Sequence, residues 1–137
     1  MKENLVRQTI IEDPLCDCCH VDLETPLHAL WLCHELDIVW LDPELWHFRR
    51  SVHFRDFKEL LSWIILREKN PELFAVMAWS IWIQRNQVRL HQTASALHQV
   101  EQLSRDTFNG TVWIARFLTS AFSYFFFFFF FFFAREQ

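Results

Sequence analysis

The sequence predicts a mainly α-helical protein. It contains one Gly and four Pro in 137 residues, and β-sandwiches, β-barrels and glycine-rich phosphate loops need far more turn-forming residues than that. Apolar residues recur at helical spacing through the middle of the chain. All four Cys lie between positions 16 and 33, among His. We therefore expect a small zinc-knuckle-like loop module, two or three helices after it, and a low-complexity Phe-rich tail.

The first element is a zinc-binding module over residues 1–42, and its charge is unusual. Residues 1–47 carry two Lys/Arg and ten Asp/Glu, a net charge of −8, whereas residues 48–137 carry eleven and seven, a net charge of +4. Charged residues interrupt the first 20 positions, so no secretory signal is expected. Clustered Cys without an export signal favour a metal site over disulfides. Within the module, Thr25-Pro26 begins a helix, with Thr as its N-cap.

The next two elements are helical. Residues 43–70 form a basic and aromatic connector and then a helix, with Asp56 as its N-cap. Asn70-Pro71 begins another helix, and no Pro or Gly occurs between positions 72 and 109. We therefore expect one long helix within residues 71–108, from about 71 to 106, which spans roughly 50 Å at 1.5 Å per residue. Asn109-Gly110 supplies its stop.

The last element, residues 109–137, is low in complexity. Residues 117–134 carry no charge, and nine consecutive Phe occupy positions 125–133. One interpretation is a tail translated from a T-rich nucleotide tract in a decayed or mispredicted reading frame. A second is a membrane span, because the uncharged stretch reaches the lower length limit for one and Arg116 and Arg135 flank it. Packed tertiary structure is the third.

The Cys and His spacing predicts a metal site. Cys16 and Cys19 supply two thiolates in a tight loop, and His28 and Cys33 can complete a Cys-x2-Cys-x8-His-x4-Cys set. Four protein ligands leave no open position on Zn²⁺, so such a site is structural and does not activate water. Three further residues lie within reach as substitute ligands, namely Cys18, His20 and His34. The alternative is that all four Cys are small buried apolar residues without a metal.

Helical geometry adds a constraint on this site. His28 and Cys33 are five residues apart, so on a continuous α-helix they point roughly 140° away from each other. They cannot share one ion in that geometry. We therefore predict a break in the helix around residues 31–34.

The residues of this site also carry a family resemblance. The stretch CDCCHVDLETPLHALWLC over residues 16–33, followed by Val39-Trp40, resembles the reverse transcriptase zinc-binding domain of plant LINE-type (non-LTR) retrotransposons. In those polyproteins the domain lies downstream of the polymerase. Its pattern is Cys-x-x-Cys, then Glu-Thr, then His-x4-Cys, then an aliphatic-Trp pair. The resemblance implies Cys16, Cys19, His28 and Cys33 as ligands of Zn²⁺, and a nuclear location.

A second stretch extends the resemblance to roughly residues 10–90. WSIWIQRN over residues 79–86 is similar to the Trp-x-x-Trp-x-x-Arg-Asn segment found between that zinc domain and a ribonuclease H domain. The upstream end is truncated, and the sequence after 106 does not resemble ribonuclease H. No strand-borne set of carboxylates for divalent metal catalysis is visible, and the 17 Asp and Glu are interpreted as solvated helix faces. We therefore expect no enzymatic activity.

The basic and aromatic connector is the candidate nucleic-acid surface. The acidic surroundings of the knuckle repel a polyanion, whereas the connector interleaves cations with rings, which suits phosphate contact and base stacking. The predicted binding residues are Trp46, Arg49, Arg50, Arg55 and Lys58, extended by Arg85 and Arg89, with His53 nearby. The alternative is that Trp46, Phe48 and Phe54 belong to the core and that Arg49 and Arg50 are only solvated.

Three functional hypotheses follow. The first is a non-catalytic remnant of a retrotransposon reverse transcriptase polyprotein, with a structural zinc module and weak RNA or DNA contact. The second is an interaction or scaffold fragment whose apolar helices pack on reverse transcriptase or ribonuclease H domains. The third is a tail-anchored membrane protein that uses residues 117–134. The first implies a nuclear location and the third a membrane location.

Overall fold

The computed structural model describes residues 2–10 and 12–109, and this part of the chain is mainly helical, as predicted. The α-helices are α1 (Lys2–Arg7), α2 (Pro43–Trp46), α3 (Phe57–Leu66), α4 (Pro71–Arg89) and α5 (Leu97–Asn109). A π-helical turn spans His28–Leu32, and 3-10 turns span His34–Ile38 and His47–Arg49. The described residues form no strand, only an isolated antiparallel bridge between Leu15 and Leu23.

Side-chain caps begin helices α2 and α3. Asp56 accepts a hydrogen bond from the Glu59 amide at 2.8 Å, which confirms it as the N-cap of α3. Asp42 caps α2 in the same way, with Pro43 as the first helical residue. Asn70 precedes α4 in the left-handed region, at φ 47°. These starts depend on contacts between near neighbours in sequence, so they are readable from the sequence.

An aromatic cluster forms the centre of the core. Trp31 is fully buried, and its ring packs against Trp40, Trp46, Phe48 and Phe74 with centroid distances of 4.9 to 6.3 Å. These rings come from the amino-terminal module, from the connector and from α4. The three segments therefore share one hydrophobic core.

The prediction of one long helix is wrong. Helix α4 ends at Arg89, His91 takes a left-handed φ of 54°, and α5 begins at Leu97. Helix α5 packs back on α4, where the Ser104 hydroxyl lies 3.2 Å from that of Ser80. A continuous helix would carry apolar residues such as Val100 into solvent, and folding back buries Val100 to 3 % exposure.

The described residues contain no helix that is both long and apolar enough to cross a membrane. The uncharged stretch at 117–134 and the stop predicted at Gly110 lie outside the described residues.

Candidate metal centre

A tight loop presents the first two sulfurs of the site. The Leu15–Leu23 bridge closes it, the Cys16 amide donates to the Asp22 carbonyl at 2.8 Å, and the His20 amide donates to the Cys16 carbonyl at 2.9 Å. His20 turns the chain with a left-handed φ of 56°. The loop therefore places the side chains of Cys16 and Cys19 on the same side of the module, facing the helical turn that follows.

That turn presents the other two ligand residues. Thr25 acts as the predicted N-cap, because its hydroxyl accepts a hydrogen bond from the His28 amide at 3.1 Å. The Cys33 amide then donates to the His28 carbonyl at 2.9 Å, an i→i+5 bond that defines a π-helical turn. Because a π-helical turn has more residues than an α-helical turn, two residues five positions apart, such as His28 and Cys33, lie closer to the same side of the helix. The separation of about 140° expected on an α-helix is therefore reduced.

The helix breaks where the sequence predicted. Cys33 has φ −54° and ψ 127°, outside the helical region, and a 3-10 turn follows it. The break within residues 31–34 is thus confirmed. It combines with the wide turn to aim the side chains of His28 and Cys33 at one point.

Four side chains converge there. The ligand atoms of Cys16, Cys19, His28 and Cys33 all lie within 4.8 Å of one another. The sulfurs of Cys16 and Cys33 are 3.9 Å apart, and the Cys19 sulfur is 3.3 Å from Nε2 of His28. Two sulfurs each at about 2.3 Å from a tetrahedral ion lie about 3.8 Å apart. The four Cys of the chain form no disulfide, so the cluster of three thiols and one imidazole could hold a metal ion.

The substitute ligands lie outside this cluster. The Cys18 thiol contacts the Cys16 sulfur but does not join the group of four. His20 and His34 are exposed, and Nε2 of His34 lies 3.2 Å from a carboxylate oxygen of Glu35. His28 also has an outer neighbour, because its Nδ1 lies 3.8 Å from the Asp22 carboxylate. This distance is too long for a hydrogen bond, so the carboxylate does not fix the orientation of the imidazole.

Hydrogen bonds between three of the thiols shift their pKa values in opposite directions. Hydrogen bonds from the Cys18 and Cys33 thiols hold the pKa of Cys16 far below its usual value. Hydrogen bonding to that same sulfur, together with burial, raises the pKa of Cys18 and of Cys33. Metal binding requires the sulfurs of Cys16, Cys19 and Cys33 in the thiolate form, so a metal ion displaces the protons of these thiols when it binds.

A buried network of charged groups, centred on Glu24, contacts the loop. Glu24 is fully buried, and its carboxylate accepts hydrogen bonds from the Asp17 amide at 3.2 Å, from the Lys2 amide at 3.2 Å and from Arg89. Nη1 of Arg85 lies 3.6 Å from the same carboxylate. The prediction that the acidic residues are all solvated is therefore wrong for Glu24. Its partners Lys2, Arg85 and Arg89 are more than 20 positions away in sequence, so no local pattern marks it.

Four of the seven residues predicted to bind nucleic acid are buried or paired with other groups of the protein. Trp46 and Arg85 are each 2 % exposed, so neither reaches the surface. Arg89 pairs with Asp17 and Glu24. Arg49 donates to the backbone carbonyls of Trp31 at 2.8 Å and Cys33 at 3.0 Å, and it pairs with Asp37. The core assignment considered for Trp46 and Phe48 is confirmed, and Phe54 is partly buried beside Trp63.

The other three residues predicted to bind nucleic acid are exposed to solvent. Arg50 and Arg55 expose 77 % and 85 % of their side chains, and Lys58 is exposed. Arg50 lines a surface cavity of about 340 Å³, whose walls are Trp31, Leu32, His34, Asp37, Arg49, Arg50, Val52 and His53. The structure thus brings Arg49, Arg50 and His53 together at one cavity, which Arg85 and Arg89 do not line.

The fold and the cluster define a class: a mainly helical protein whose amino-terminal loop carries a Cys₃His group able to hold a metal ion. Comparison of the chain with protein-family models, with curated proteins and with solved structures finds no match.

Proposed function

We propose that the chain is a non-catalytic, zinc-organised helical module of the kind that follows the polymerase in non-LTR reverse transcriptases. The observation that carries this proposal is the convergence of Cys16, Cys19, His28 and Cys33 within 4.8 Å. A set of three thiolates and one imidazole in a tetrahedral arrangement is the donor set that structural Zn²⁺ sites use.

The surroundings of the cluster support a structural role. Cys16 and Cys33 are fully buried, and His28 is 6 % exposed. A buried ion with four protein ligands has no open coordination position for water or substrate. The nearby carboxylate of Glu24 is engaged by Lys2, Asp17 and Arg89. The ion would therefore join the knuckle loop to the helical turn, and so organise residues 14–42.

Metal content tests this proposal directly. We expect about one zinc ion per purified chain. Removal of the ion by a chelator at neutral pH is expected to reduce helical circular dichroism, since structural zinc contributes on the order of 10 kcal/mol to small modules. Readdition of Zn²⁺ should restore the signal. A chain that is fully folded without any transition metal would contradict the proposal.

The cavity beside Arg50 is the candidate contact for single-stranded RNA or DNA. Arg50 is the most accessible cation of its wall, and Leu32 and Val52 supply apolar surface beside it. Exposed Arg55 and Lys58 lie close by in sequence and add positive charge. The cations provide phosphate contact, and the aliphatic wall gives a base a surface to pack against. Asp37 pairs with both Arg49 and Arg50, so weak binding is expected.

Substitution of Arg50 tests this contact. We expect Arg50→Ala to weaken binding of a labelled oligonucleotide, measured by fluorescence anisotropy at low salt, and to reduce the salt dependence of binding by about one phosphate contact. Arg67→Ala is the matched control, because Arg67 is exposed and lies outside the cavity. Equal binding by both variants and the unchanged chain would argue against this site. Arg49→Ala is less informative because Arg49 supports the backbone at Trp31 and Cys33.

A second candidate function is that of an interaction fragment. Several large apolar side chains are exposed, among them Leu66 at 81 %, Val21 at 68 % and Leu41 at 65 %. Exposed apolar side chains mark a contact with a partner where they form a contiguous patch. Binding of the chain to a polymerase or ribonuclease H domain of a related element would favour this function. A chain that stays monomeric and binds neither domain would exclude it.

A further inference from the structure

We propose that Arg85 is a positioning residue of the metal site, acting through a hydrogen bond to the sulfur of Cys16. This inference rests on the proposed metal-binding function and concerns a residue on α4, 69 positions away from that Cys. The role assigned to Arg85 is to stabilise the negative charge that the ligand sulfurs bring to the site.

The geometry places the guanidinium directly against the cluster. Nη1 of Arg85 lies 3.2 Å from Sγ of Cys16 and 3.6 Å from a carboxylate oxygen of Glu24. The side chain is 2 % exposed. A guanidinium withdrawn from water to this extent is stable only beside negative charge, because burial of an isolated charge is very costly. Cys16 and Glu24 are the groups that provide this negative charge.

The charge balance supports the same role. Three thiolates around a divalent ion leave a net charge of −1 on the metal site. Glu24 adds another negative charge but is shared with Arg89. The single positive charge of Arg85 therefore neutralises the metal site. Without it, three thiolates and a buried carboxylate would lie together in a largely dry environment.

The guanidinium also has unused hydrogen-bonding capacity. Nε and Nη2 of Arg85 are buried and have no acceptor among the described residues. Buried donors without an acceptor are rare, and each has a cost. Neighbouring sulfurs accept hydrogen bonds more strongly as thiolates, the form that metal binding requires. The negative charge of the metal site and of Glu24, which both lie beside Nη1, offsets the cost of burying these two donors.

This contact connects two stretches that are separate in the sequence. Cys16 belongs to the Cys/His segment, and Arg85 belongs to the WSIWIQRN segment at 79–86. The second segment supplies an outer residue of the site formed by the first. Packing of α4 on the module is consequently coupled to metal affinity.

Cobalt substitution of the full chain tests the inference. The Arg85→Gln change removes the charge, and we expect it to weaken affinity for Co²⁺ and Zn²⁺ by about 10–100-fold, the usual effect of losing an outer-shell partner. The thiolate-to-cobalt charge-transfer band should also shift. Arg85→Lys keeps the charge but moves it, so we expect it to recover most of the affinity with a displaced band. Arg105→Gln is the control, since Arg105 pairs with Asp42 and Glu101 instead.

The outcomes separate this inference from the proposed function. If the unchanged chain binds no cobalt, the metal-binding proposal itself fails. If the unchanged chain binds cobalt and Arg85→Gln folds with the same affinity and the same band, the role of Arg85 is overturned. If Arg85→Gln does not fold with metal, the Arg85→Lys variant tests the inference instead. A charge-transfer band and a metal affinity identical to those of the unchanged chain overturn the inference. A displaced band supports it.

Discussion

Replacement of Cys33 by Ser is expected to abolish stoichiometric metal binding and to unfold residues 14–42. Cys33 is fully buried and 3.9 Å from the Cys16 sulfur, and it also ends the π-helical turn. Loss of one of four ligands removes much of a metal contribution on the order of 10 kcal/mol. That value is comparable to the whole stability of a typical domain, about 5–15 kcal/mol. Metal content per chain and circular dichroism, measured on the same preparation, would reveal both effects.

Cys18→Ser is the matched control for this prediction. Cys18 is adjacent to the cluster in sequence and contacts the Cys16 sulfur, yet it is not one of the four converging residues. We expect this variant to retain about one metal ion per chain and its helical signal. Full metal occupancy in Cys33→Ser, or equal loss in both variants, would refute the ligand assignment.

Truncation of Trp31 is expected to have the second largest effect. Trp31 is fully buried and contacts four other aromatic rings, from the module, from the connector and from α4. Trp31→Ala would leave a large cavity at the point where the three segments meet, at a cost of about 3–5 kcal/mol. Urea denaturation of the metal-loaded chain, monitored by circular dichroism, measures this loss.

Trp79→Ala provides the comparison. Trp79 lies on α4 and is only partly buried, so its truncation removes less contact area and is expected to lower the free energy of unfolding by a smaller amount. If the two variants lost the same free energy, the aromatic cluster around Trp31 would not be the centre of the core.

The elements that the sequence predicted correctly depend on near neighbours in the chain. Asp56 caps α3 through a residue three positions later, and Thr25 caps its turn in the same way. The Cys and His spacing within residues 16–33 is local as well, because one loop and one turn bring the four side chains together. The break at Cys33 followed from the angle between two residues on a helix, before any tertiary contact was considered.

The elements that the sequence predicted incorrectly depend on contacts between distant residues. No Pro or Gly interrupts residues 72–109, so local propensity favoured one helix, whereas burial of Val100 against the core favoured two. The cationic pattern suggested that Arg85 and Arg89 extend a binding surface. Each instead pairs with an acidic or sulfur group more than 60 positions earlier.

By itself, the sequence determined the helical class, the starts of α3 and α4 and the four residues of the candidate metal centre, since each depends on hydrogen bonds or spacings within a few turns of chain. Only the tertiary structure decided which charged residues are buried and what they contact. The same guanidinium is stable in water or against a buried sulfur and carboxylate, and composition does not distinguish the two. Packing of α4 against the loop places Arg85 beside Cys16, because the negative charge gathered there offsets the cost of its burial.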